Sequence, residues 1–429
     1  MKRIITIFSL SFSFLFNFNT SAQVQSNALF TVDAVLLQNI GSPWGMAFIN
    51  SDTLLFTEKT GKLWRYRIST NTTTEITGLP TIVNHGQGGL LDIALHPDFA
   101  TNNLVYLSYS INATGGQTTA LGRGTLVNNQ LQNFTELFRA LPVVNSGVHF
   151  GSRIAFDHEK RLYLSVGDRG HQDYAQDLNT HMGSIIRLND DGTVPADNPF
   201  VGVANTKPEI YSYGHRNIQG MVYDYQNNKL YAHEHGPRGG DELNVITKGG
   251  NYGWPAITYG INYDGTPITD KTEQEGMEQP ITYWTPSIAP SGLTIIKRNT
   301  AGNQLQFLLG ALAGQHLHYL HVENNAVISS SRSLQGYARI RDVRQAPNGF
   351  IYALTESPNR LVRLQATGLL SSPSGALHIN SSILFPNPSE KTGTLKFFVP
   401  VQQNVEIKIL SVSGEVMHTL TNHVPARRT

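Results

Sequence analysis

His149 stands in the run Val148-His149-Phe150-Gly151-Ser152-Arg153-Ile154-Ala155-Phe156, just ahead of an apolar stretch and beside a glycine. A neutral imidazole at the mouth of a β element is suited to taking a proton from a bound molecule near neutral pH. Taken alone, the same His also reads as an ordinary turn residue. Arg216 and Asn217 lie together in Tyr213-Gly214-His215-Arg216-Asn217-Ile218-Gln219-Gly220. A fixed cation beside an amide serves where negative charge develops on an oxygen, and equally serves an ion pair between sheets. In Arg339-Ile340-Arg341-Asp342, strand alternation puts both arginines on one face, where paired guanidiniums can hold a polycarboxylate.

Two glycine-rich stretches have the chemistry of close approach. Gly86-Gln87-Gly88-Gly89 lets backbone come near a ligand while Gln87 offers a donor and an acceptor; a plain connecting turn explains it as well. In His235-Gly236-Pro237-Arg238-Gly239-Gly240-Asp241-Glu242, Pro237 removes a donor and the glycines bend the chain. Carbonyl oxygens there, joined by Asp or Glu, suit Ca²⁺, although a long ordinary loop is the plainer alternative. Neither a Gly-x-Ser-x-Gly elbow nor a His-Glu-x-x-His pair occurs, which argues against a serine hydrolase of that type and a zincin.

These residues precede or follow a repeating pair of short strands. The first member recurs as 44–48, 91–95, 152–156, 219–223, 291–295 and 341–345, each followed after a polar turn by a second apolar strand. Repetition at this interval with no long amphipathic helix indicates an all-β, six-bladed β-propeller, preferred to a two-sheet sandwich. A blade cannot bury both faces alone, so blades pack face to face around an axis and their polar entrances converge at one end.

The 429 residues carry a formal net charge of +1 and 15% charged residues, which gives no footing for nucleic acid or a polybasic membrane surface. Cysteine is absent, which leaves oxygen or imidazole donors for any metal. Lys2 and Arg3 precede an apolar run to Phe18 and then Thr20-Ser21-Ala22, the pattern of a signal peptide over 1–22 rather than of a membrane span. The expected order is the signal peptide, the propeller over 27–366, a Ser/Gly/Pro-rich linker over 367–380 and a small β-sandwich-like segment over 381–429.

In sequence order these motifs resemble the soluble quinoprotein glucose/aldose sugar dehydrogenases, over about Gly41 to Leu364. They include His96-Pro97-Asp98-Phe99, Asn251-Tyr252-Gly253-Trp254-Pro255 and Ala289-Pro290-Ser291-Gly292 besides those above. The resemblance implies an exported oxidoreductase that binds pyrroloquinoline quinone and Ca²⁺ and oxidises aldose C1 to the lactone, passing electrons to an unidentified acceptor. It implies His149 as general base and Arg216 on the reacting carbonyl oxygen. Gln87, Asn217, Arg339 and Arg341 become cofactor or substrate contacts. Gly236 and Pro237 become ligands of a catalytic Ca²⁺, and Glu242 and Tyr252 ligands of a structural one.

Two departures stand out. Ala313 occupies a position where a lysine is expected, a feature that favours a non-catalytic glycan- or protein-binding propeller as the rival reading, with a Ca²⁺-dependent lactonase as a third. Val148 precedes the His where glucose-specific relatives have Asp, so a carboxylate to orient the imidazole is expected to be missing. The segment from Phe385 resembles a C-terminal sorting domain of Bacteroidetes type IX secretion, here apparently truncated. That resemblance points to a periplasmic, cell-surface or secreted protein.

Overall fold

The computed structural model describes residues 29–296 and 304–367, and the backbone of four further strands between 382 and 424. Six four-stranded antiparallel sheets form a six-bladed propeller. The innermost strands are Pro43–Phe48, Leu90–Leu95, Ile154–Phe156, Ile218–Asp224, Pro290–Ile295 and Arg339–Gln345. They neighbour one another around the axis. Each repeat inferred from the sequence is therefore the inner hairpin of one blade.

Strands buried on both faces read as continuous apolar runs. Leu162–Val166 is buried throughout, and Leu164 and Ile186 of one blade pack with Tyr106 and Leu121 of the blade before it. The ring closes through Phe30–Gln38, which pairs antiparallel with Arg360–Ala366 and completes the last blade, Phe30 opposite Ala366 and Gln38 opposite Arg360. This closing strand had no place in the repeat pattern, because its partner lies some three hundred residues away in sequence.

Buried charged side chains meet between the inner strands, beside the apolar cluster of Trp44, Leu91 and Phe150. Arg153, with no solvent exposure, donates to Asp92 at 3.2 Å and to Asp342 at 3.3 Å, and to the Gln219 carbonyl at 2.7 Å. Its guanidinium lies 4.0 Å from the Trp44 ring centroid, and Arg344 is 3.4 Å from Asp342. Side chains from several blades thus meet on one buried cation. A network of this kind fixes blade register, and breaking it would strand buried carboxylates.

The signal-peptide expectation over 1–22 falls outside the described residues, as does nearly all of the linker. Beyond it, Ser382–Phe385 pairs with Thr394–Phe397 and Gln403–Leu410 with Val416–Val424, both antiparallel.

Candidate active site

The loop before the third blade presents His149. Its inner strand begins at Ile154, so His149 lies on a looped run and not at the strand entrance that the sequence had indicated. His149, Gly151 and Ser152 all have positive φ, at 52°, 64° and 86°, a conformation non-glycine residues hold only when their surroundings impose it. Those surroundings are specific. Gln87 Oε1 accepts from the His149 N–H at 2.8 Å, Asn217 Oδ1 from the Gly151 N–H at 3.1 Å, and Ser165 O from the Ser152 N–H at 2.6 Å. The exposed Gln87 and the buried Asn217 thus act on the backbone that carries the imidazole.

The expectation that His149 lacks an orienting carboxylate is overturned. Asp168 Oδ1 lies 2.6 Å from His149 Nδ1 and accepts the Gly170 N–H at 2.8 Å, while Oδ2 accepts from Trp254 Nε1 at 2.9 Å. Burial pushes this carboxyl upward, but the His149 hydrogen bond and neighbouring charges hold it below the usual range. An ionised carboxylate only accepts, so Nδ1 carries a proton, and in the neutral ring it is Nε2 that holds the lone pair. Val148 is partly exposed and has no part in this. The signal was available: Asp168 follows the second strand of the hairpin whose first strand follows His149, and the two ends of a hairpin lie side by side.

Arg216 is buried and is held by carbonyl and hydroxyl oxygens rather than by a carboxylate. Nη1 donates to His235 O at 3.1 Å and Gly236 O at 3.3 Å, Nη2 reaches Tyr263 Oη at 3.5 Å, and the guanidinium lies 5.5 Å from the Trp254 ring centroid. Its charge remains available to a ligand. The next-door His215 is structural: it bonds Glu234 at 2.9 Å and Ser212 at 3.0 Å and stacks on Tyr252. Tyr263, 72% exposed, stands on a turn fastened by Asn262 to Thr266 and Gly265 to Asn262 backbone bonds, and its hydroxyl meets Arg216 from the solvent side.

Burial, opposed by the Pro290 hydrogen bond and reinforced by the Arg216 and Arg341 guanidiniums, pushes His235 down to about 3, so it is neutral and its Nε2–H donates to Pro290 O at 2.8 Å. Arg216 also donates to the His235 carbonyl, and Pro290 opens the next blade's inner strand, so His235 ties Arg216 to a second blade. Arg341 Nη1 donates to Gln219 Oε1 at 3.2 Å, and Gln219 Nε2 donates to Gly151 O at 3.1 Å, which links the arginine to the His149 loop. Arg339 and Arg341 share one carboxylate, Glu356, at 3.3 Å and 2.7 Å. Burial pushes Glu356 upward, yet the two guanidiniums hold it below the usual range. The pair thus keeps one net positive charge, with planar donors and amides nearby. This donor set fits a flat anion bearing several carboxylates.

The expected metal ligands divide into two places. The Gly236 carbonyl accepts from Arg216, and the Gly236 N–H donates to Asp241 at 2.9 Å. A Cβ at Gly236 would come within 2.1 Å of Gly239 O, so the bend at Gly236-Pro237 requires glycine. Glu242 pairs in register with Glu234, and burial together with that neighbouring charge pushes it up to about 8. It accepts from Asn244 Nδ2 at 3.3 Å, while Asn244 Oδ1 is buried without a donor. An acidic oxygen and an orphaned amide oxygen fit a hard cation. Tyr252 fits less well, since its hydroxyl donates to Val245 O at 2.5 Å and accepts from the Thr247 N–H at 2.8 Å. No cluster of three or more His or acidic side chains able to hold a metal occurs among the described residues.

Known proteins agree with this architecture. Residues 40–363 match the family described as Glucose / Sorbosone dehydrogenase. An aldose sugar dehydrogenase of Escherichia coli is 38% identical over 344 residues, 78% of this chain and 93% of that protein. A solved glucose dehydrogenase is 38% identical with a TM-score of 0.75, covering 79% of this chain and all of the other. The aldose sugar dehydrogenase of Streptomyces coelicolor, solved with pyrroloquinoline quinone bound, is 28% identical with a TM-score of 0.65, covering 79% of this chain and 98% of its own. With an imidazole–carboxylate pair, an Arg216 guanidinium free of any carboxylate and a family match over residues 40–363, this chain belongs to the glucose/sorbosone dehydrogenase family.

Proposed function

We propose that this protein is an exported quinone-dependent dehydrogenase that oxidises the C1 hydroxyl of aldose sugars to the lactone. The observation that carries this reading is the His149–Asp168 pair, joined to Arg216 through Trp254 and to Arg341 through Gln219 and the Gly151 carbonyl. His149 Nε2 takes the C1 hydroxyl proton, and Asp168 holds the resulting imidazolium in place. Arg216 supplies a fixed positive charge where negative charge develops on an oxygen. Arg339 and Arg341 hold carboxylates of the cofactor, Asn217 and Gln87 keep the His149 loop in its strained form, and Tyr263 walls the sugar from outside. Pyrroloquinoline quinone, when bound, supplies the two-electron acceptor for the hydride that leaves C1.

Ca²⁺ is proposed at the Gly236 and Pro237 carbonyls and, separately, at Glu242, where Asn244 is a better second ligand than the Tyr252 hydroxyl. Export rests on Lys2, Arg3 and the apolar run after them. No helix among the described residues is long and apolar enough to cross a membrane. A periplasmic, cell-surface or secreted location is compatible with that start, and type IX secretion rests on the sequence resemblance alone. The test is reconstitution with pyrroloquinoline quinone and Ca²⁺, followed by dye-linked oxidation of several aldoses. Sugar-dependent dye reduction is expected; its absence in quinone-loaded protein removes the enzyme reading.

A further inference from the structure

We propose that Lys59 is a third cation of the carboxylate-binding rim, closing on an anionic group of the cofactor beside Arg341; this rests on the quinone reading above. The backbone of Lys59 is fixed between two blades, its N–H donating to Ser42 O at 2.8 Å and its carbonyl accepting from Leu90 N–H at 3.1 Å. From that anchor the side chain reaches the loop that carries Gln87, and Nζ donates to Gly86 O at 2.8 Å. Gln87 in turn holds the His149 N–H. The ammonium therefore stands one residue from a group that positions the base.

Among the described residues Lys59 Nζ has no direct ion pair: no carboxylate lies within 4.0 Å of it, and its bond is to a neutral carbonyl. Partial burial, and then the charge of Arg341, disfavour the protonated form, with Glu356 opposing them. Glu356 is already engaged by Arg339 and Arg341. Two guanidiniums and one carboxylate leave a single positive charge, too few for a triply acidic ligand; Lys59 brings the rim to two. Ala313 is exposed and follows Leu312, whose carbonyl accepts from Arg339 at 3.3 Å, so that part of the rim supplies no cation of its own. A lysine shifts readily from a carbonyl to an incoming carboxylate because its charge is compact and its stem flexible.

The test is titration of the apoprotein with pyrroloquinoline quinone at fixed Ca²⁺ and ionic strength, read by quinone absorbance. Lys59→Gln is expected to weaken binding about 10- to 100-fold, and Lys59→Arg to stay within about threefold of wild type. As a second measurement, Lys59 of the wild type is labelled with an amine-acylating reagent and followed by mass spectrometry, and quinone loading is expected to protect it. Equal affinity of wild type and Lys59→Gln, with unchanged labelling on loading, overturns the role of Lys59 while leaving the quinone reading intact. A wild type that binds no quinone overturns both. Should Lys59→Gln fail to fold, the labelling experiment decides alone.

Discussion

Replacing Asp168 by Asn removes one charge with almost no change of shape, and the structure dictates the outcome. The carboxylate serves three donors: His149 Nδ1 at 2.6 Å, the Gly170 N–H at 2.8 Å and Trp254 Nε1 at 2.9 Å. An amide has one accepting oxygen, so either placement sets its NH₂ against a donor. With the NH₂ toward His149, the imidazole must accept at Nδ1 and Nε2 becomes protonated, which removes the base. With the oxygen toward His149, a charge-assisted bond worth about 1.5–3 kcal/mol becomes a weaker neutral one. A neutral bond is worth about 0.5–1.5 kcal/mol, so the loss is about 1–1.5 kcal/mol, or roughly 5- to 12-fold in rate at about 1.4 kcal/mol per decade. The tautomer change extends the expected loss in kcat to about 10²- to 10⁴-fold. Asp168 does not belong to the carboxylate-binding rim, so quinone affinity stays within about threefold. Dye-linked turnover of the reconstituted variant, with loading checked by absorbance, reads both numbers. Turnover within about threefold of wild type at full loading refutes the assignment of Asp168 as the group that sets the tautomer.

Further predictions concern stability, metal and substrate. Arg153→Met leaves Asp92 and Asp342 buried with Arg344 as their remaining nearby cation, and should cost about 3–5 kcal/mol by denaturant unfolding. Asp168 and Glu356 both have depressed carboxyls, so their stabilisation is complete above the ordinary carboxylate range and is lost as pH falls through their folded values. Thermal scans should show Tm falling below about pH 4, less steeply in Asp168→Asn, and the raised Glu242 carboxyl adds a decline as pH rises toward about 8. Millimolar Ca²⁺ should raise Tm and a chelator should reverse it, with at least about half of the increment lost in Glu242→Gln. Tyr263→Ala should raise KM for aldoses about 3- to 10-fold with kcat little changed, while Tyr263→Phe keeps the wild-type KM.

The propeller was legible because every inner hairpin repeats an apolar–turn–apolar pattern, and all six fall on observed inner strands. Arg339 and Arg341 were legible as a pair, since alternation along one strand is local information. The partner that shares them, Glu356, was not; it faces Arg339 across the next strand of the blade, and pairing of that kind depends on register. Asp168 was overlooked for a related reason. The reading sought an orienting carboxylate adjacent in sequence to His149, at Val148, whereas a hairpin brings its two ends together across some nineteen residues. Arg153 shows the limit more sharply, because its partners Asp92 and Asp342 come from other blades and meet it only when the ring closes.

The central claim is that His149 Nε2 removes a sugar proton at the place where the blades' polar entrances meet. Its most direct test is anaerobic mixing of quinone-loaded protein with excess aldose, following the quinone absorption in a single turnover. The wild type is expected to bleach in one exponential phase, and His149→Gln to bind quinone equally well but react at least about 100-fold more slowly. Equal single-turnover rates in the two loaded proteins would contradict the account.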